Sequence, residues 1–119
     1  MTDAPLLHIA PRRDWEAVTD RPDGRYRDPS LDSEGFIHLS TVEQVLIPAN
    51  ERFAGRTDLV LLVIDPGRVP SPVVFEDCYE TGIAFPHLYD ALPVAAVTAV
   101  LAFPPQADGT FALPPALTP

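Results

Sequence analysis

Three histidines, His8, His38 and His87, are the residues here best able to move protons near neutral pH. Imidazole titrates in that range, so each could serve as acid, base or ligand orienter. His38 stands in Gly35-Phe36-Ile37-His38-Leu39-Ser40-Thr41, two residues before a hydroxyl able to cap a helix. Free amides at such a helix start would hold a phosphate or carboxylate beside the imidazole. His87 stands in Phe85-Pro86-His87-Leu88-Tyr89, and Glu76 closes an apolar stretch upstream. If the first two strands are neighbours, His8 and His38 face one cleft, and the expectation is a cleft lined by His8, His38, Ser40, Thr41, His87 and Tyr89. In it His38 or His87 is the general acid or base, and Glu76 orients it or stabilises developing positive charge. The plainer reading makes each histidine a partly buried ring bonded to backbone.

Other chemistries fit less well. The histidines and Glu76 are acceptable zinc ligands. The chain has no His-Glu-x-x-His, no His-x-His and no cysteine pair, so no metal site is expected, and a metal-dependent hydrolase would need wholly tertiary convergence. Cys78 lies in Glu76-Asp77-Cys78-Tyr79-Glu80, where carboxylates raise a thiol's pKa, so it reads as structural or incidental. Glu80 reads as a solvated loop carboxylate. Ser40 lacks a Gly-x-Ser-x-Gly elbow and is a helix cap rather than a nucleophile.

Charge narrows the partners. The chain has 17 acidic and 8 basic residues, a formal net charge of −9, and a field of that sign repels long nucleic acid and anionic membrane. All the basic residues are arginine; the absence of lysine excludes Schiff-base chemistry and a lysine-bearing phosphate loop. Arginine can still grip a phosphate or carboxylate with two parallel hydrogen bonds, so a small anionic metabolite or nucleotide remains a candidate ligand. A length of 119 residues, 46% of them hydrophobic, suits a single domain. No apolar run nears the roughly 20 residues of a bilayer span, the N-terminus lacks a secretory pattern, and one cysteine suits a reducing compartment; a cytoplasmic location is expected.

The elements that would position these groups form an α+β pattern. Leu6-Leu7-His8-Ile9-Ala10 is a short strand, and Pro11 suits the start of a helix carrying Trp15 and Val18 on one face. Residues 19–34 hold Pro22-Asp23-Gly24 and Asp28-Pro29-Ser30 and predict a surface loop. A second strand spans 35–39. Ser40-Thr41-Val42-Glu43 has capping-box spacing, predicting a helix from Thr41 to Phe53 that Pro48 bends or divides. The unbroken run Leu59-Val60-Leu61-Leu62-Val63-Ile64 predicts a central strand covered on both faces. A strand at 73–76, an irregular stretch over 77–90, a turn or short helix from Pro93 and a strand over 97–103 follow. One globular domain over 1–103 would then end in an extended proline-rich tail, since 104–119 holds five prolines in sixteen residues.

Several of these segments occur together in a known order. Leu7-His8-Ile9-Ala10 with Trp15, then Glu34-Gly35-Phe36-Ile37-His38-Leu39-Ser40-Thr41, Ile64-Asp65-Pro66, Phe85-Pro86-His87-Leu88-Tyr89 and Leu92-Pro93 resemble the bacterial family called domain of unknown function 952. More distantly, the pattern is similar to the ADP-ribosyltransferase fold of RNA 2′-phosphotransferases and poly-ADP-ribose polymerases. Their first strand carries a His and their second a His-Leu or Ser-Thr signature, the places of His8 and of Ile37-His38-Leu39-Ser40-Thr41 here. That resemblance implies small split antiparallel-rich sheets with two or three short helices. It also implies a cleft for NAD or a related nucleotide, His8 near the ribose and Ser40 near the nicotinamide. Ile9 replaces the Gly that often follows the first His, and His87 stands near the place of the third-motif carboxylate. A non-catalytic module, docking a partner through the proline-rich tail or the 85–92 stretch, is the rival from another class.

Overall fold

The computed structural model describes residues 4–21, 23–77 and 80–118; Pro22 and Cys78, on which two expectations fell, lie outside them. In chain order the elements are β1 (Leu6–Pro11), α1 (Arg12–Glu16), β2 (Arg25–Tyr26), α2 (Pro29–Ser33), β3 (Ile37–His38) and α3 (Leu46–Arg52). After these come β4 (Leu59–Ile64), β5 (Val73–Glu76), β6 (Phe85–Leu88), β7 (Leu92–Pro93) and β8 (Val97–Ala102). The class is α+β, with small antiparallel sheets ordered β1-β4-β8, β2-β7 and β3-β6-β5. No helix among the described residues is long and apolar enough to cross a membrane.

β4 explains how so short a chain builds a core. Side chains alternate across a strand, so an unbroken apolar run must find cover on both faces. Val60, Leu62 and Ile64 pack with Leu6, Ala10, Trp15, Tyr26, Ile37, Leu39, Leu88 and Leu92 on one side. Leu59 and Leu61 pack with Leu7, Ile9, Val45, Ala49, Phe103 and Phe111 on the other. Each fully buried leucine contributes about 1.5–3 kcal/mol by leaving water. β1 and β4 therefore form a rigid base from which the shorter second sheet is hung. Leu7 and Ser40 exchange backbone hydrogen bonds of 2.7 and 2.8 Å, which joins β1 to the end of β3.

Four local expectations are corrected. Residues 19–34 are not a simple loop: β2 buries Tyr26, and α2 begins where Asp28 caps the Ser30 amide and Pro29 occupies the first helical position. The capping box at Ser40 and Glu43 does not form. The Gln44 side chain instead accepts from the Thr41 amide at 3.2 Å, a turn covers 42–45, and α3 starts only at Leu46. Pro48 then falls in the first turn, where no intrahelical donor is needed, so it neither bends nor divides the helix. The stretch over 77–90 contains β6, the central strand of its sheet, despite Pro86. Residues 104–118 are irregular, with Phe111 in the second core group. Phe111 is buried and stacked on Phe103 at 4.7 Å, and its amide donates to the Asn50 side chain at 2.6 Å.

Candidate functional site

β1 carries His8 on the same face as Leu6 and Ala10, so the ring is turned toward the first core group and only 5% of it is exposed. Its Nδ1 lies 2.6 Å from the His38 carbonyl oxygen. A carbonyl can only accept, so Nδ1 carries a proton and donates it. The Nε2 atom faces Asp28 Oδ1 at 3.3 Å, an ion-pair contact rather than an aligned hydrogen bond, for Nε2 has no hydrogen-bond partner among the described residues. Asp28 is held in place by its capping role, with Oδ2 accepting from Ser30, while the Tyr26 hydroxyl donates to Oδ1 at 3.4 Å.

The protonation of this corner follows from its surroundings. Burial alone would raise the Asp28 carboxyl, but the adjacent His8 and the Ser30 amide outweigh it and hold the carboxyl well below its usual range. Burial, reinforced by the charge of Asp28, pushes the Tyr26 hydroxyl far above its ordinary value. Asp28 is therefore an anion at neutral pH and Tyr26 a neutral donor.

β3 and β6 supply the other two histidines as register partners, His38 opposite His87, with ring centroids 5.5 Å apart and nearly perpendicular. Phe36 lies over His87 at 3.9 Å and 14° and meets His38 edge-on at 5.0 Å, which fixes both rings. The His38 Nε2 is 2.8 Å from Glu34 Oε2, a carboxylate placed by the end of α2. The His87 Nδ1 is 3.0 Å from Glu76 Oε1 on the adjacent strand β5, and the Tyr89 hydroxyl donates to the same oxygen. Those two hydrogen bonds, Tyr89's first and then His87's, hold the Glu76 carboxyl below its usual range.

Each imidazole thus meets a carboxylate, and all three border one cavity of about 630 Å³. That volume is within the range of about 300–1,000 Å³ typical of small-molecule sites. Ser40 and Glu76 also border it; Thr41 and Tyr89 do not stand in its wall, and Tyr89 acts on it only through Glu76. Glu80 is exposed. The amides expected to hold an anion next to His38 are not arranged as a helix start, because residues 42–45 form a turn. No group of three or more His, Cys, Asp or Glu with metal-site geometry occurs among the described residues.

Several residues of the site were not foreseen. Asp28 did carry a signal, since Asp-Pro-Ser is the pattern of a helix cap followed by proline at the first position. Glu34 and Phe36 sit four and two residues before His38, but no local period distinguishes them from loop residues. Glu51 and Arg52 reach the cavity from the last turn of α3, a placement only the fold could provide.

Solved structures place this arrangement among relatives. Two crystal structures of the protein CC0527 from Caulobacter crescentus, one of them of a double mutant, are similar with TM-scores of 0.83 and 31% identity, covering 96% of this chain and 98% of that one. The solution structure of CC0527 is similar with a TM-score of 0.76 and 32% identity over 89% of this chain and 90% of that one. No functionally curated protein matches the chain. Residues 9–100 match the model described as "Protein of unknown function (DUF952)", and the chain belongs to that family.

Proposed function

We propose that the cavity binds a small molecule and that the histidine–carboxylate pairs around it act as acid and base on that molecule. The observation that supports this reading is the meeting of three imidazoles, each beside a carboxylate, at one small-molecule-sized cavity. A carboxylate beside an imidazole fixes the ring's orientation and stabilises its protonated form, which suits proton transfer in either direction. His38 is the more accessible ring and acts on the ligand; His87, held by Glu76 and covered by Phe36, sets the floor. An ordinary core histidine would account for one such ring but not for three at a common wall.

Within this reading, NAD or a related nucleotide is the substrate to test first. The carboxylates suit a reaction in which positive charge develops, such as cleavage of the bond between a ribose carbon and a cationic ring nitrogen. In it the bonding pair goes to the nitrogen, Glu76 stabilises the ribosyl cation, and the incoming water or alcohol gives up its proton to His38. Arg52 at the cavity wall would take a phosphate. The ADP-ribosyltransferase likeness belongs to this same reading, with Ser40 and His8 both at the wall.

Thermal shift with NAD and ADP-ribose, together with chromatography for released base, tests the proposal. A ligand that binds the folded chain raises its melting temperature. NAD is expected to raise it, and His38→Ala is expected to abolish base release while the fold survives. No shift with either nucleotide at millimolar concentration would remove the nucleotide reading. Indistinguishable behaviour of wild type, His38→Ala and Glu76→Gln toward any ligand that does bind would remove the catalytic one.

A further inference from the structure

The balance of charge around the cavity says more about its ligand than the histidines do. Asp28, Glu34, Glu51 and Glu76 border it, against the single guanidinium of Arg52. Glu76 takes both of its hydrogen bonds on Oε1, so Oε2 has no donor among the described residues. Glu51 has no ion-pair partner among the described residues. This surplus of carboxylates at one cavity wall suits a ligand that brings positive charge.

A second observation, independent of the acidic residues, points the same way. His8 is a buried side chain at the cavity wall whose Nε2 makes no hydrogen bond among the described residues. Its Nδ1 proton is already given to the His38 carbonyl, and Asp28 Oδ1, 3.3 Å from Nε2, is not aligned for a hydrogen bond with it. Nε2 therefore stays unsatisfied, and an unsatisfied buried polar group is costly. Apolar side chains complete the lining, among them Phe53, Phe85 and Ile83, which suit a flat or hydrocarbon body behind a donor-rich head.

We propose that the ligand of this cavity is an organic cation, an amine, amidinium or guanidinium joined to an apolar body, held by Glu76, Glu51 and the Asp28–His8 wall. This inference rests on the reading of the cavity as a small-molecule site, and it narrows the ligand beyond that reading. A planar cation gains most, because it can donate two parallel hydrogen bonds to a carboxylate while its face rests on an aromatic ring.

Three probes of one shape isolate the charge: benzamidine, a cation at neutral pH; benzamide, its neutral counterpart; and benzoate, its anion. Binding is followed by NMR through the side-chain signals of His8, His38 and His87 in the full chain. Benzamidine is expected to bind about tenfold or more tighter than benzamide, with benzoate weakest. That advantage should shrink several-fold in Glu76→Gln and in Glu51→Gln, the latter at an exposed position where folding is not at stake. Equal or tighter binding of benzamide or benzoate at these signals would overturn the cation assignment and leave the cavity reading standing. Benzamidine binding that moves none of the three histidines would also overturn it. Silence from all three probes would remove both the assignment and the reading on which it rests.

Discussion

The sheets β1-β4-β8 and β3-β6-β5 each have three antiparallel strands, yet they are held together by different forces. β1 meets β4 in six consecutive register pairs, almost all apolar, and both faces of β4 are buried. β3 meets β6 in two pairs, one of them His38 with His87, and β5 pairs with β6 at an edge that exposes Val74 and Phe75. In the first sheet the ladder and the burial of leucine and valine suffice. In the second the strands are too short for that, and side-chain links hold it: Glu34 to His38, Glu76 to His87 and Phe36 across both rings. The lesson is a division of labour. The sheet that stabilises is apolar and regular, and the sheet that carries the His38 and His87 carboxylate contacts is short and borrows its stability through the Leu7–Ser40 bridge.

If that division is right, the largest loss of stability comes from the first sheet. Leu62 is fully buried in the central strand and belongs to the larger core group. Leu62→Ala removes transfer energy and leaves a cavity, so unfolding in urea should show a loss of about 4 kcal/mol. A loss below about 1 kcal/mol would mean that β4 is not the centre of the fold and would break the comparison at its stronger side.

A smaller effect should come from the seam where the two sheets meet. Asp28 faces His8 from the cap of α2, and the folded chain holds its carboxyl below the usual range. The unfolded chain binds a proton there more readily, so the stabilisation is present above the ordinary aspartate range near pH 4 and is lost as pH falls through the folded value. Asp28→Asn should therefore cost about 2 kcal/mol at pH 6. The gap between variant and wild type should narrow steadily as both are unfolded at pH 4, 3 and 2. A gap that stays constant over that range would show that neither His8 nor the Ser30 amide stabilises the ionised Asp28 carboxylate.

The same contrast governs how much the sequence reveals. The run over 59–64 discloses β4 and its double burial because nothing but a buried strand accommodates six apolar residues between Asp58 and Asp65. β1, β5 and β8 are legible from short apolar runs, although β5 and β8 are largely uncovered. β6 is concealed by Pro86, which argues against a central strand; it is tolerated because its carbonyl, the one group it can offer, accepts from the Leu39 amide. The segment Asp28-Pro29-Ser30 suits a turn and a helix cap equally well. The helical outcome prevails because Ser30, once buried, finds the Phe36 carbonyl at 2.8 Å. The histidines were legible by type, but their carboxylates were not: the Asp28 and Glu76 partnerships join residues twenty and eleven positions apart in sequence, a distance only tertiary structure closes.

The smallest expected effect tests which of two local signals directs the chain out of the second sheet and into α3. Ser40-Thr41-Val42-Glu43 and Thr41-Val42-Glu43-Gln44 both have capping-box spacing, one frame apart. Backbone pairing decides between them. Ser40 is committed to Leu7 through both its amide and its carbonyl, so it cannot open a helix, and half of the second box forms instead around the turn that precedes α3. Gln44 then accepts from the Thr41 amide and donates to the Ala84 carbonyl at 2.7 Å, linking the turn to the segment just before β6. Gln44→Ala removes both bonds and should lower stability by about 1 kcal/mol, whereas Glu43→Ala should stay within about 0.5 kcal/mol of wild type. The pair is read by urea unfolding at a single pH. Were Glu43→Ala the costlier change, the first frame would be the operative one, the free amides beside His38 would return, and an anion could again be held there.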